Sequence, residues 1–295
     1  MKNTVVKIFT ATIISVLSIS ACLADIEKVN ISKITRDNVN SFDSDGWAPL
    51  HRLMDSCKYL VHINRDEKEE CEDNTNKLLE LGANPNMLSK NKYKISPLAI
   101  AMVRSDHLVN LTKTMLNRDV DIHSKQYRGS TLLGLIVRYG EYEIFKTLLK
   151  KGLDVNSIAW KSGEAEKSII EYGIMNRVAS VKVKADRGIF LIIKEALANG
   201  AKMSYEGKIN RTLSHAILSN DSEVVDLLLS HNIDMTEYDY LHYSIRVKSD
   251  IKIVNILLSK SIELGLFSDK KRQLYLSTAI EMRNTSLAKL FSGEH

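Results

Sequence analysis

Apolar and small residues recur along this chain in two phrases that repeat together. The first is Ala48-Pro49-Leu50-His51. It returns as Ser96-Pro97-Leu98-Ala99, Ser130-Thr131-Leu132-Leu133, Arg211-Thr212-Leu213-Ser214 and Asp239-Tyr240-Leu241-His242. Three residues after each Leu stand Leu53, Ala101, Leu135, Ala216 and Ser244. Positions three apart share one face of a helix, so each phrase predicts a helix start whose buried side nests against a neighbour. Pro49 and Pro97 fit the first helical turn, where a missing N–H costs no hydrogen bond. Ser or Thr just before can accept from the free backbone N–H groups.

The second phrase predicts a second helix and its end. Leu78-Leu79-Glu80-Leu81-Gly82-Ala83-Asn84-Pro85-Asn86 returns as Leu148-Leu149-Lys150-Lys151-Gly152-Leu153-Asp154-Val155-Asn156. Weaker copies are Met115-Leu116, Ala196-Leu197, Leu228-Leu229 and Leu257-Leu258. The closing positions Gly82, Asp119, Gly152, Gly200, Asn232 and Ser261 lie 37, 33, 48, 32 and 29 residues apart. Glycine suits the left-handed turn that ends such helices, and Asn tolerates it. Asp119 and Ser261 suit it less, so those two ends are expected to be irregular. One helix pair buries too little to offset its ordering entropy, so stability must come from stacking.

Six phrases in register resemble the ankyrin repeat, over roughly residues 43–291. The resemblance implies an all-α ankyrin-repeat solenoid of about six helix-turn-helix repeats with hairpin loops and terminal caps. Expected repeats are 43–88, 89–124, 125–157, 158–203, 204–236 and 237–265, with a C-terminal cap at 266–291. Residues 55–76 enlarge the first. The fourth holds an insertion from Val178 to Arg187, and its opening phrase is eroded to Ser168-Ile169-Ile170-Glu171. Leu276–Ile280 and Leu287–Phe291 read as the capping helix pair, and polar residues 25–42 as a tether or N-terminal cap.

Composition agrees with a packed protein: 295 residues, 44% hydrophobic and 26% charged. With 13 Gly and 3 Pro the chain is neither collagen-like nor low-complexity. The net charge of +5 falls to +3 if residues 1–21, with Lys2 and Lys7, are removed. That balance disfavours a nucleic-acid partner.

Lys2 and Lys7 precede an apolar run, Ile8 to Ala21. As a helix this run would span ~21 Å, short of a ~30 Å hydrocarbon core, and it reads as a secretion signal over residues 1–21. Ile19-Ser20-Ala21-Cys22 resembles the bacterial lipobox, which implies acylation of Cys22 and a lipidated tether over 22–42. The alternatives are ordinary cleavage after Ala24 and a buried N-terminal helix. Leu23, by resemblance to enterobacterial lipoproteins, points to the outer membrane facing the periplasm.

Cys57 and Cys71 remain, an even pair in an oxidising compartment. A disulfide and two separate buried thiols are both open. No spacing supports a metal site, and no cofactor is expected.

Catalytic motifs are not found: there is no G-x-S-x-G, H-E-x-x-H, glycine-rich phosphate loop or C-x-x-C. The resemblance gives His51 and His242 a structural hydrogen bond back to the preceding turn. Cys57 as a nucleophile beside His51 or His62 is weaker than a bridged Cys57. The chain is therefore expected to be no enzyme, with no small-molecule substrate.

A binding surface is what remains. Trp47, Tyr93, Tyr127 and Arg128 fall at hairpin tips, as do Trp160, Tyr205 and Tyr238. Such residues combine large contact area with a polar handle and dominate binding hot spots. Tyr240, at the Pro position of its phrase, is expected to pack instead. The acidic run Asp66 to Asp73 reads as solvated surface, or as a patch for a basic partner. Exported ankyrin proteins with a lipobox resemble the immunity lipoproteins paired with type VI secretion lipase effectors. The expectation is a lipid-anchored protein that binds and neutralises a cognate phospholipase. A periplasmic scaffold or adaptor and a host-directed interaction protein are the alternatives.

Overall fold

The computed structural model describes residues 29–293, apart from 61–64, 104–108, 119, 122–124, 128–129, 163–164, 180–182, 204–210 and 232. Cys22, Arg128 and Tyr205 lie outside the described residues, as do the helix ends expected at Asp119 and Asn232. The chain forms two compact units, residues 1–128 and 129–295.

In the first unit a 3-10 turn at Ile31–Lys33 leads to α1 (Pro49–Leu60), α2 (Arg65–Glu80), α3 (Pro97–Val103), α4 (Val109–Leu116) and a short strand β1 (Lys125–Tyr127). Pro49 and Pro97 open their helices. Helix α1 packs on α2 and α3, and α2 packs on α4, so first helices file together and second helices file together. Leu50, Leu53, Leu78, Leu98, Ala101 and Met115 fill the space between the files. Ala101 sits where a larger side chain would hold the two first helices apart.

The second unit repeats the arrangement. Strand β2 (Ser130–Thr131) leads into α5 (Leu132–Tyr139) and α6 (Tyr142–Lys150). The hairpin β3 (Trp160–Ser162) and β4 (Ala165–Lys167) precedes α7 (Ile169–Ala179) and α8 (Val183–Ala198). Then come α9 (Arg211–Leu218), α10 (Ser222–Leu229), α11 (Tyr240–Arg246), α12 (Ile251–Glu263), α13 (Asp269–Glu281) and α14 (Thr285–Ser292). The first helices α5, α7, α9, α11 and α13 contact one another in series, while α6 meets α8 and α10 meets α12. Strand β3 pairs antiparallel with β4 and, at Trp160, with Ser130 of β2.

Helix ends follow local chemistry. Thr131 Oγ1 accepts the Gly134 N–H, and Asp221, Asp239 and Asn284 cap α10, α11 and α14 in the same way. The eroded phrase at Ser168 is a reciprocal cap: Ser168 Oγ accepts the Glu171 N–H, and the Glu171 carboxylate accepts the Ser168 N–H. Gly82, Gly152 and Gly200 take left-handed φ of 96°, 88° and 81°. Ser261 corrects the expected pattern. It is buried inside α12, which continues to Glu263, and Gly265 at φ 68° supplies the turn. The end is closed there by the Gly265 N–H on the Ile262 carbonyl and the Leu266 N–H on the Ser261 carbonyl, the arrangement a left-handed glycine permits.

Two asparagines tie successive loops together. Asn40 donates to the Gly82 carbonyl and accepts the Asn84 N–H, in the first unit. Asn156 does the same for the Gly200 carbonyl and the Lys202 N–H, in the second. Each satisfies backbone groups that a helix end leaves open.

Cys57 on α1 and Cys71 on α2 are joined by a disulfide, with Cα atoms 6.0 Å apart. Both are buried. In denatured, unreduced protein neither is expected to take up iodoacetamide, whereas after reduction both are. Peptide mass mapping checks this, and labelling of Cys57 without reductant would contradict it.

Candidate partner-binding surfaces

In the first unit two loops meet. Gly46 O accepts the Lys90 N–H at 2.9 Å, and Gly46 holds φ 75°. A Cβ there would stand 2.8 Å from the Asn91 nitrogen, so only glycine allows this approach. Asn91 shapes the second loop: its side-chain oxygen accepts from the Tyr93 N–H and the Ser89 hydroxyl. Trp47 and Tyr93 come together, ring centroids 6.5 Å apart, and Tyr93 is 50% exposed.

Beneath Trp47 lies His51, fully buried, its ring edge-on at 5.5 Å. His51 Nδ1 accepts the Ala48 N–H and Nε2 donates to the Ile95 carbonyl. This is the neutral ring's complement of one acceptor and one donor. Burial pushes the His51 pKa down to about 4, against the smaller opposing pull of the Ile95 and Met87 carbonyls and of Asp43. On the rim, Arg52 pairs with Asp43 and Asp45. Burial works to raise the Asp43 pKa. The Arg52 guanidinium and the backbone N–H groups of Trp47 and Asp45 outweigh it and hold the carboxyl below its ordinary value.

The second unit has its own aromatic tip. Tyr238, 37% exposed, meets Tyr240 at 5.2 Å and Tyr243 at 5.8 Å, both edge-on. Tyr240 is buried, as its place in the phrase implies, and its hydroxyl has no hydrogen-bond partner among the described residues. Burial, with Glu237 and Asp234 adding to it, raises the Tyr240 pKa to about 12. Behind this tip Tyr275 donates to the Asp239 carboxylate, which also caps α11, and His242 reaches forward to the Thr278 hydroxyl at 3.0 Å. His242 thus bonds to the next repeat rather than back to the preceding turn.

The remaining tip residues fall elsewhere. Trp160 is half-buried and stacks on Tyr172 at 6.4 Å, and the Tyr172 hydroxyl lies 3.1 Å from Ser130 Oγ. Its ring serves the packing of the β2–β3 junction. Tyr127 ends β1, half-buried. Tyr243, which turns toward Tyr238, is not marked by the phrase; its signal in the sequence is a second tyrosine one helical turn after Tyr240. Among the described residues no three His, Cys, Asp or Glu side chains are grouped to hold a metal ion, and no helix is long and apolar enough to cross a membrane.

No family model matches the chain. An ankyrin repeat domain from Acinetobacter baumannii AYE superposes with a TM-score of 0.50 at 20% identity, over 70% of this chain and 93% of that one. The human ASB11 ankyrin repeat domain superposes with a TM-score of 0.51 at 16% identity, over 82% of this chain and 94% of that one. The fold is the ankyrin-repeat fold. A mimivirus ankyrin repeat protein, from Acanthamoeba polyphaga mimivirus, is 25% identical over 156 residues, 53% of this chain. The match spans only 18% of that relative's length. The ankyrin opening phrases coincide with the starts of α1, α3, α5, α9 and α11, and the ankyrin loops carry both aromatic tips.

Proposed function

We propose that this chain is a non-enzymatic ankyrin-repeat protein that holds a protein partner at the bacterial envelope, anchored by acylated Cys22. The partner is a phospholipase delivered by type VI secretion, which the chain neutralises in the periplasm. The observation that carries the binding role is the second unit's tyrosine tip. Tyr238 stays exposed while Tyr240 and Tyr243 fix its ring edge-on, so little side-chain entropy remains to be lost on contact. The lipase reading is supported by the lipobox ahead of ankyrin phrases, a combination that resembles immunity lipoproteins. Tethering at the membrane would hold the inhibitor at high effective concentration where a phospholipase acts.

Affinity capture from the native strain tests the reading. The captured protein is expected to hydrolyse phospholipid and to lose that activity when this chain is added; a captured partner with no lipase activity would refute it. Tyr238→Ala with Tyr243→Ala is expected to weaken capture by about tenfold or more, the effect of a hot-spot residue pair, with the melting midpoint nearly unchanged. Cys22→Ala is expected to move the protein from the membrane to the soluble fraction. Membrane retention that survives a high-salt wash, or continued incorporation of labelled fatty acid, would remove the lipobox from the account.

A further inference from the structure

The first unit's paired loops carry a charge pattern that the partner-binding reading does not use. Lys90, Lys92 and Lys94 are all exposed on one loop, and none forms an ion pair among the described residues. The carboxylates nearest in the facing loop, Asp43 and Asp45, are both engaged by Arg52. The lysines therefore leave a cationic surface. Lys90 Nζ lies 4.6 Å from the Phe42 ring centre, and Lys92 Nζ 5.3 Å from that of Tyr93. Apolar groups are mixed in: Tyr93 is half exposed, Trp47 partly so, and Leu88 is 37% exposed.

We infer that the Phe42–Trp47 and Leu88–Lys94 loops form a contact site for the headgroups of an anionic phospholipid bilayer. Lysines are drawn to a negative membrane surface, and Trp, Tyr and Leu settle at the boundary between headgroup and acyl chain. Cations beside exposed Leu88 and Tyr93 would also suit an acidic protein; the anchor at Cys22, which rests on the proposed function, is what favours the bilayer. The first unit also lies close to the proposed anchor in sequence. From Cys22 to Val29 the chain spans at most about 25 Å, so an acylated Cys22 would keep the start of the first unit within that reach of the bilayer. The contact would then orient the protein on the membrane, which attachment at one point cannot do.

The test is vesicle cosedimentation of the chain from residue 25 onward, which lacks the signal and the acylation site and keeps every described residue. Vesicles are phosphatidylcholine alone or with phosphatidylglycerol at about one third. The expected result is at least tenfold tighter binding to the anionic vesicles, weakening as salt rises. Each lysine near such a surface is worth about fivefold in affinity, so Lys90→Glu, Lys92→Glu and Lys94→Glu together are expected to cut binding about a hundredfold or more. Trp47→Ala with Tyr93→Ala is expected to weaken it several-fold without changing the salt dependence. Circular dichroism and the melting midpoint confirm that each variant is folded. Equal binding to both vesicle types, or a folded triple-Glu variant that binds like the parent, overturns the inference. So does a result in which vesicles are ignored while an acidic protein is retained through the same lysines. Because no partner protein is present, failure here leaves the capture experiment above untouched.

Discussion

Gly134→Ala is expected to destabilise the second unit by about 3 kcal/mol or more, at the upper end of what overpacking costs. A Cβ on Gly134 would stand 1.9 Å from the Ala159 carbonyl oxygen. That oxygen cannot retreat: it accepts from both the Thr131 N–H and the Thr131 hydroxyl, at 3.1 Å each. The clash is with backbone held at a node, so relief requires moving α5 away from the loop before β3. Two other glycines calibrate the result. Gly173 would place its Cβ 2.9 Å from the Ile193 side chain rather than from held backbone, and Gly173→Ala is expected to cost about 1–2 kcal/mol. Gly152 has open space but φ 88°, so Gly152→Ala meets only the left-handed penalty of about 1–2 kcal/mol. Denaturant unfolding followed by circular dichroism measures all three. Gly134→Ala as mild as Gly173→Ala would mean that α5 is not seated against Ala159.

Acid is expected to weaken the first unit through His51. The folded chain protonates this ring only near pH 4, the unfolded chain near 6.5. Between those values the unfolded state binds more protons, so the contribution is fully present above pH 6.5 and is lost as the pH falls through 4. The full span corresponds to about 3 kcal/mol. The geometry supplies the cause. Protonation would put a proton on Nδ1, facing the Ala48 N–H that it now accepts from. Stability measured from pH 7.5 to 4 should therefore fall more steeply for the parent chain than for His51→Gln, which carries no titrating group at that site. Parallel curves for the two would show that the acid loss arises elsewhere.

The repeat was legible because stacking imposes it. Leu50, Leu98, Leu132, Leu213 and Leu241 must each reach the inter-helix space, and all five are buried. Gly82, Gly152 and Gly200 must each turn the chain left-handed, and all three do. What the phrases could not show were contacts between repeats. Nothing local to Gly134 signals that Ala159 passes over it. Nor does Ser168-Ile169-Ile170-Glu171 look like a helix start until the reciprocal bonds between Ser168 and Glu171 are seen. The aromatic tips divided by what each loop folds against. Trp47 and Tyr93 lie on loops of adjacent repeats and meet, whereas Trp160 stacks on Tyr172 of its own repeat, where the hairpin folds onto α7. Ser261 misled because a spacing of 29 residues placed the helix end too early, four residues before the glycine that turns the chain.

The disulfide between α1 and α2 closes the outermost helix pair of the first unit. Among the described residues this pair has a neighbouring helix pair, α3 and α4, on one side only, and in an array held by nearest-neighbour contacts such a pair is the first to peel away. With Cys57 and Cys71 bonded, that pair cannot separate even after its contacts with α3 and α4 have loosened. Fraying at this edge is stapled shut, and hydrogen exchange within α1 and α2 should be slower than a one-sided repeat would otherwise permit.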